Sequence, residues 1–252
     1  MYYCCGLTDQ GIGELNEDSY LVGGVVSDSG STANSTTECD TDAPFIAAVA
    51  DGVGGEDAGE IASRLTLQLL AGIRSCKRED IVPRILKIHE KVCAYGVRHG
   101  HDNMQSTLCA LYVDSDDNAY AVNIGDSRLY LYREGNIRQI TTDQSLVQML
   151  YDQGRITDIE RAKHEVRNII FPVMGNLKTA PTPVITDMGV LGFGDVVLIC
   201  SDGLSDYVTR GELEDVLARP MHLTKRLRLL ADLALEHGST DNITAVGVYF
   251  KK

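Results

Sequence analysis

The sequence lacks any apolar run long enough to cross a bilayer: its hydrophobic stretches are broken by Gly, Asp or Pro every few residues, well short of the ~18 to 20 residues a span requires. No basic start and no long apolar stretch follow Met1, so no secretory leader is expected, and the match of Asn34-Ser35-Thr36 to a glycosylation acceptor then carries no weight. Seven cysteines, an odd number with no Cys-x-x-Cys among them, point to reduced thiols and a cytoplasmic location. His89, His99, His101, His164, His222 and His237 show no H-E-x-x-H or similar spacing and read as surface or core residues. A P-loop, a G-x-S-x-G elbow and a Cys followed six residues later by Arg are all missing, which argues against covalent catalysis. Positive charge is the most unevenly missing feature. The first basic residue is Arg64, and the 12 acids before it supply nearly all of the net charge of −13. Nucleic acid and anionic membrane surfaces are therefore not expected partners, because binding them relies on Lys and Arg.

What remains is the composition of a soluble globular chain, 44% hydrophobic and 23% charged over 252 residues, enough for one large domain spanning 1–252. Residues 3–8 and 18–26 read as strands, Ser27 to Pro44 as a flexible surface loop, and Phe45 to Ala50 as a strand ending at Asp51-Gly52-Val53-Gly54-Gly55. Helical spacing follows in the stripes Ile61, Leu65, Leu69, Ile73 and Ile81, Ile85, Ile88, Val92. Short strands separated by Asp-Asp-Asn, Gly-Asp-Ser and Glu-Gly-Asn run from Thr107 to Ile140 as an antiparallel meander. Residues 144–182 are mixed; strands at 184–190 and 195–200, a helix with the stripe Leu223, Leu227, Leu230, Ala234, and a strand Ile243 to Phe250 complete the chain. The expected fold class is α+β, two antiparallel sheets face to face with helix pairs outside, a four-layer α-β-β-α sandwich.

Asp51, Asp126, Asp202 and Asp241 each stand where an apolar run meets a turn, and Glu17-Asp18 stands beside a strand start. One such Asp is ordinary turn chemistry. Several converging on one edge are not, since charges ~4 Å apart repel by about 4 kcal/mol at an effective dielectric near 20 and require cations to stay together. An all-carboxylate set suits Mg²⁺ or Mn²⁺. Two such ions lower the pKa of a shared water and stabilise both oxygens of an in-line displacement at phosphorus, so phosphate-ester hydrolysis is the expected chemistry. Asp114-Ser115-Asp116-Asp117-Asn118 has Ala119 where a calcium loop needs Gly, and reads as a hairpin turn.

Asn16-Glu17-Asp18, Asp51-Gly52-Val53-Gly54-Gly55, Gly125-Asp126-Ser127-Arg128, Ser201-Asp202-Gly203-Leu204-Ser205-Asp206 and Asp241-Asn242-Ile243-Thr244 occur in the order in which they occur in the metal-dependent protein serine/threonine phosphatases. The chain resembles that family (PPM, type 2C), in particular its bacterial branch, over almost its whole length. The resemblance implies hydrolysis of phosphoserine and phosphothreonine by direct attack of a hydroxide bridging two Mn²⁺ or Mg²⁺ ions, with a third, weaker ion beside them. It implies metal-binding roles for Glu17, Asp18, Asp51, the Gly52 carbonyl, Asp126, Asp202, Asp206 and Asp241, with Asp18, Asp51, Asp202 and Asp241 as the catalytic set and Asn242 orienting Asp241 or contacting phosphate. It also implies a flap at 143–183, phosphorylated proteins and an opposing Ser/Thr kinase as partners, and a monomer.

Three positions depart from the family pattern. Gly13 replaces the Arg that grips phosphate, for which a flap Arg, Arg155 or Arg167, is the expected substitute; Val53 replaces a His found in animal members; and Asp143-Gln144-Ser145 replaces Asp-His-Ser. A catalytically impaired regulatory module is the alternative that the missing Arg suggests, and a plain acidic interaction domain is the third reading.

Overall fold

Segments such as Phe-Ile-Ala-Ala-Val-Ala and Val-Val-Leu-Ile-Cys are apolar at every position because the strands they form are covered on both faces. A computed structural model of the chain describes residues 1–27, 34–53, 58–73, 77–157, 160–161, 164–166 and 169–251. Twelve strands among them form two antiparallel six-stranded sheets. The first has the order β4-β1-β12-β11-β8-β9, from Asn34–Thr41, Tyr2–Asp9, Ile243–Phe250, Val196–Cys200, Arg128–Arg133 and Asn136–Gln139. The second has the order β10-β7-β6-β5-β2-β3, from Val184–Val190, Asn118–Ile124, Leu108–Val113, Phe45–Ala50, Ser19–Val22 and Val25–Val26.

Alternation along each strand sorts the side chains into three apolar layers. Tyr2, Cys4, Val197, Ile199, Val246 and Val248 of the first sheet meet Ala47, Val49, Cys109 and Leu111 of the second between the sheets. Leu198, Cys200, Ile243 and Ala245 point the other way, against the helices α5 (Arg210–Leu217) and α6 (Leu223–Glu236). Ala48, Ala50, Leu108 and Ala110 pack against α1 (Gly59–Ala71) and α2 (Arg78–His99). Shorter helices α3 (Leu146–Asp152) and α4 (Asp202–Ser205) lie between strands. The α-β-β-α sandwich read from the sequence is therefore the observed fold. Among the described residues, no helix is long and apolar enough to cross a membrane.

Several details differ from the sequence reading. The expected strand at 18–26 is a hairpin of β2 and β3 that turns at Gly23-Gly24, and the helix α5 was not expected. The polar stretch 27–44 contains β4, an eight-residue edge strand paired in register with β1 from Tyr2↔Thr41 to Asp9↔Asn34. Its polar side chains suit an edge. Inward-facing Ser35 and Thr37 meet the Tyr20 hydroxyl at 3.2 and 2.9 Å, and outward-facing Glu38 bonds the Thr224 hydroxyl of α6 at 2.8 Å. Residues 28–33 of that expected loop lie outside the described residues.

Helix α1 buries Ala62, Ser63, Thr66, Leu67 and Leu70, one position along from the expected stripe; Ile61, Leu65 and Leu69 are only partly buried and Ile73 follows the helix end. A helix that contacts a sheet on one side and α2 on another has apolar residues around most of its circumference, so no single stripe marks its buried face. The stripe of α2 is buried as expected. The meander, finally, is divided: β6 and β7 belong to the second sheet, β8 and β9 to the first, and the chain crosses between sheets at Gly125-Asp126-Ser127, where Gly125 takes φ +98°.

Antiparallel pairing sets the start of one strand beside the end of its neighbour. Ser19 pairs Ala50, Leu108 pairs Ile124, and Cys200 pairs both Arg128 and Ala245. The residues flanking these positions, Asp18, Asp51, Asp126, Asp202 and Asp241, are thereby delivered to one end of the sandwich.

Candidate metal centre

Asp18 forms the floor of this end and is 1% exposed. Its carboxylate accepts from the Ser201 hydroxyl at 2.7 Å, and its backbone N–H donates to the Asn16 side chain at 3.1 Å. Asn16 in turn donates to Thr8, whose hydroxyl lies 2.6 Å from that of Thr244. Glu17, Asp51, Asp126 and Asp202 are partly exposed walls, while Asp206 and Asp241 are exposed at the rim. Asp51 leaves β5 held on both sides by Thr107: its N–H donates to the Thr107 hydroxyl at 3.0 Å, and the Thr107 N–H donates to its carbonyl at 2.8 Å.

The electrostatics record how closely the carboxyls face one another. Burial, followed by the charges of Asp18, Asp202, Asp241 and Asp126, raises Asp51 well above the usual carboxyl range. Burial raises Asp18 to about 8, with the Ser201 and Thr244 hydroxyls opposing it and Asp241 and Asp202 adding to it. Burial and then Asp241 and Asp206 raise Asp202 to about 7, and burial and then Asp202 and Asp143 raise Asp126. Glu17 rises through burial, Glu60 and Asp241.

A group of acids held together in this way lacks its counter-charge. The guanidinium that does register at Asp126 and Asp202 is Arg128, and it is already engaged. It forms bonds of 2.7 and 3.0 Å to Asp143, one of 3.1 Å to Asp206, and one of 3.0 Å to the Ser205 carbonyl. Asp202 Oδ1 is buried without a hydrogen-bond partner. Among the described residues no three His, Cys, Asp or Glu side chains are already gathered about a common point, so the carboxylates share a basin without forming a closed cage. An oxygen-only donor set with an unpartnered buried oxygen fits hard divalent cations such as Mg²⁺ and Mn²⁺.

The family model described as protein phosphatase 2C matches residues 28–235. The chain belongs to the protein phosphatase 2C family. It is 35% identical over 207 residues to the serine/threonine protein phosphatase PstP of Mycobacterium tuberculosis, a match covering 80% of this chain and 39% of that protein, so the matched region spans well under half of that relative. The crystal structure of the M. tuberculosis serine/threonine phosphatase PstP/Ppp superposes with a TM-score of 0.81 at 30% identity, over 100% of each chain. The catalytic domain of PstP in complex with two manganese ions gives 0.78 at 29% identity, over 99% of each chain.

Within this type-2C frame the orienting residues can be placed. Asn242 is buried and its side chain is fully used: Oδ1 accepts from the Glu17 N–H at 2.8 Å, and Nδ2 donates to the carbonyls of Gln10 and Leu15 at 2.9 and 3.0 Å. Its own N–H donates to Asp241 at 2.8 Å. Asn242 thus ties the 10–17 segment to Asp241, and Gly13 lies against its amide. Arg155 is exposed in the turn after α3, its N–H closing on the Leu150 carbonyl; among the described residues, Arg128 is an arginine whose charge acts on Asp126. Arg167, like Gly54 and Gly55, lies outside the described residues. The expected hairpin at Asp114–Asn118 is present, with Asp114 Oδ1 accepting from the Asp116 and Asn118 N–H groups at 2.9 Å.

Sequence reasoning missed the supports: Ser201, Thr244 and Thr8 under Asp18, Thr107 and Ser127 under Asp51, and the Arg128–Asp143 pair. Ser201, Thr244, Ser127 and Arg128 each fall inside one of the five short motifs, which was the available signal. Beside Asp126 and Asp206, a cavity of about 590 Å³ opens between Arg128, Tyr130, Asp143, Tyr207 and Thr209.

Proposed function

We propose that the protein is a divalent-metal-dependent phosphatase that hydrolyses phosphoserine and phosphothreonine in proteins. The convergence of Asp18, Asp51, Asp202 and Asp241 on one basin, with Asp202 Oδ1 unpartnered, carries the reading. Asp51, the Gly52 carbonyl, Asp202 and Asp241 would hold two Mn²⁺ or Mg²⁺ ions, with Glu17 and Asp18 beside them. Asp126, Asp202 and Asp206 would hold a third, weaker ion. When bound, the ions supply a water of lowered pKa and Lewis acidity toward the phosphoryl oxygens.

The chain's own residues fix the arrangement. Ser201 holds one Asp18 oxygen, Thr107 fixes the Asp51 backbone, and Asn242 fixes Asp241 against Glu17. The cavity beside Asp126 and Asp206 has room for peptide flanking the phosphorylated residue. Segment 143–183, of which residues 158–159, 162–163 and 167–168 lie outside the described residues, would be the flap beside that space, in a single domain of residues 1–252. Phosphoproteins are the substrates, a Ser/Thr kinase that makes them is the implied counterpart, and a monomer in the cytoplasm, consistent with six free cysteines among the described residues, completes the reading.

The test is hydrolysis of a phosphothreonine peptide and of an aryl phosphate in Mn²⁺, Mg²⁺ or EDTA, with Asp51→Ala as the control. Turnover should need metal and should fall by at least about 100-fold in the variant, the scale seen when a group stabilising transition-state charge is removed. Metal-independent turnover, or an Asp51→Ala protein as active as wild type, would overturn it.

A further inference from the structure

Gln144 stands where the family pattern has His, and nothing in the carboxylate basin accounts for it. Its contacts do. The Gln144 N–H donates to the Gly125 carbonyl at 2.9 Å, and its side-chain Oε1 accepts from the Gly125 N–H at 2.9 Å, so both backbone groups of the residue preceding Asp126 bond to this one residue. Its carbonyl accepts from the Phe171 N–H at 3.1 Å, and its Nε2 donates to the Thr182 carbonyl at 3.1 Å. One half-buried side chain therefore joins the start of segment 143–183, a point near its far end, and the turn that carries Asp126.

The surrounding bonds run the same way. Asn123 Nδ2 donates to the carbonyls of Gly125 and Thr142 at 3.1 and 3.2 Å, Asp143 is held by Arg128 and by Gln139 at 2.9 Å, and Leu146 donates to the Ile169 carbonyl at 2.9 Å. Gly125 is buried, so its N–H has no water to fall back on if Oε1 is removed.

We propose that Gln144 is a positioning residue, a clasp that ties residues 143–146 and 171–182 to the Asp126 turn and so sets how the enzyme holds the peptide part of its substrate. This rests on the phosphatase reading above. The clasp needs one acceptor and one donor on the same side chain at opposed positions. Leu offers neither, and Glu keeps the acceptor for Gly125 but sets a carboxylate against the Thr182 carbonyl. Neutral His offers one accepting and one donating nitrogen.

The experiment compares Gln144→Leu, Gln144→Glu and Gln144→His with wild type, all loaded with Mn²⁺. Kinetics on a phosphothreonine peptide and on an aryl phosphate are measured, together with limited proteolysis within 146–182 and amide exchange at Gly125. Gln144→Leu should raise the peptide KM by about tenfold more than the aryl phosphate KM, one decade being about 1.4 kcal/mol, and should speed both cleavage and Gly125 exchange. Gln144→Glu should speed cleavage while leaving Gly125 protected, and Gln144→His should restore all readouts. Equal losses on both substrates with unchanged cleavage would mean that Gln144 is mere structural filling and would overturn the clasp. So would failure of His to rescue. If wild type hydrolyses neither substrate, the phosphatase reading fails, and cleavage and exchange still decide the clasp. If Gln144→Leu does not fold, the Glu and His variants decide it.

Discussion

Replacing Asp18 with Asn should strengthen the metal-free protein and weaken its response to Mn²⁺. Asp18 is 1% exposed, and burial raises its carboxyl from 3.8 to about 8. An acid whose pKa is higher in the folded than in the unfolded chain holds its proton more tightly when folded. The associated stability is complete below about pH 4 and is lost as the pH climbs through 8. For a carboxyl titrating alone, raising the pH from 5 to 8 would cost at most about 4 kcal/mol at 1.36 kcal/mol per unit. Because Asp51, Asp202 and Asp241 share the same field, about 2 kcal/mol is the expected effect of this one side chain. Asn keeps an oxygen for the Ser201 hydroxyl and carries no charge. Urea unfolding in EDTA should therefore find Asp18→Asn more stable than wild type at pH 8, by a margin that shrinks at pH 5. Added Mn²⁺ should raise the wild-type midpoint at pH 8 and move that of the variant far less. A stability gap independent of pH, or a variant that gains as much as wild type from Mn²⁺, would refute the reasoning.

Arg128→Met would leave Asp143, whose side chain is 8% exposed, without its charge partner, and should lower stability by about 3 to 5 kcal/mol in chemical denaturation. The double variant Arg128→Met/Asp143→Leu should recover most of that, and a loss under about 1 kcal/mol in the single variant would show the pair to be unimportant. Gly203→Ala would press a methyl onto the Asn242 carbonyl, a backbone atom that cannot rotate away, and should cost about 1 to 3 kcal/mol along with phosphatase activity, because Asn242 carries Asp241. Gly211→Ala, in open space on α5, is the control: it should stabilise by about 0.4 to 1 kcal/mol, and a loss there would refute the steric account.

The central strands were legible because two covered faces leave no polar position. Val196–Cys200 stands out as an unbroken apolar run and Ile243–Phe250 as one interrupted only by Thr244 and Gly247, and their boundaries follow. β4 was not legible for the opposite reason. An edge strand whose inward hydroxyls are satisfied by Tyr20 has nothing apolar to display, and its partner β1 lies some thirty residues away in the chain. The division of the meander between two sheets was equally invisible, since strands on either side of Gly125 have the same period whichever sheet they join.

The carboxylates were legible for a related reason: an Asp at the end of a buried run is conspicuous, and five at one end of a sandwich need a common explanation. Their supports were not. Thr244 stands between apolar residues and reads as an ordinary strand position, and Ser201 reads as the turn after a strand, until the fold aligns them, the Thr244 N–H donating to Ser201 Oγ at 3.1 Å beneath Asp18. Gly13 shows the limit most clearly. In the sequence it is a missing arginine, and the alternative it suggests is a catalytically impaired module. In the structure the loop around it is fixed by Asn242, which spends both amide hydrogens on Gln10 and Leu15 and its oxygen on Glu17. The geometry of Asp241 relative to Glu17 is therefore set without any cation at position 13, and on the phosphatase reading the absence of an arginine there would bear on how phosphate is bound, not on whether the carboxylates are held in place.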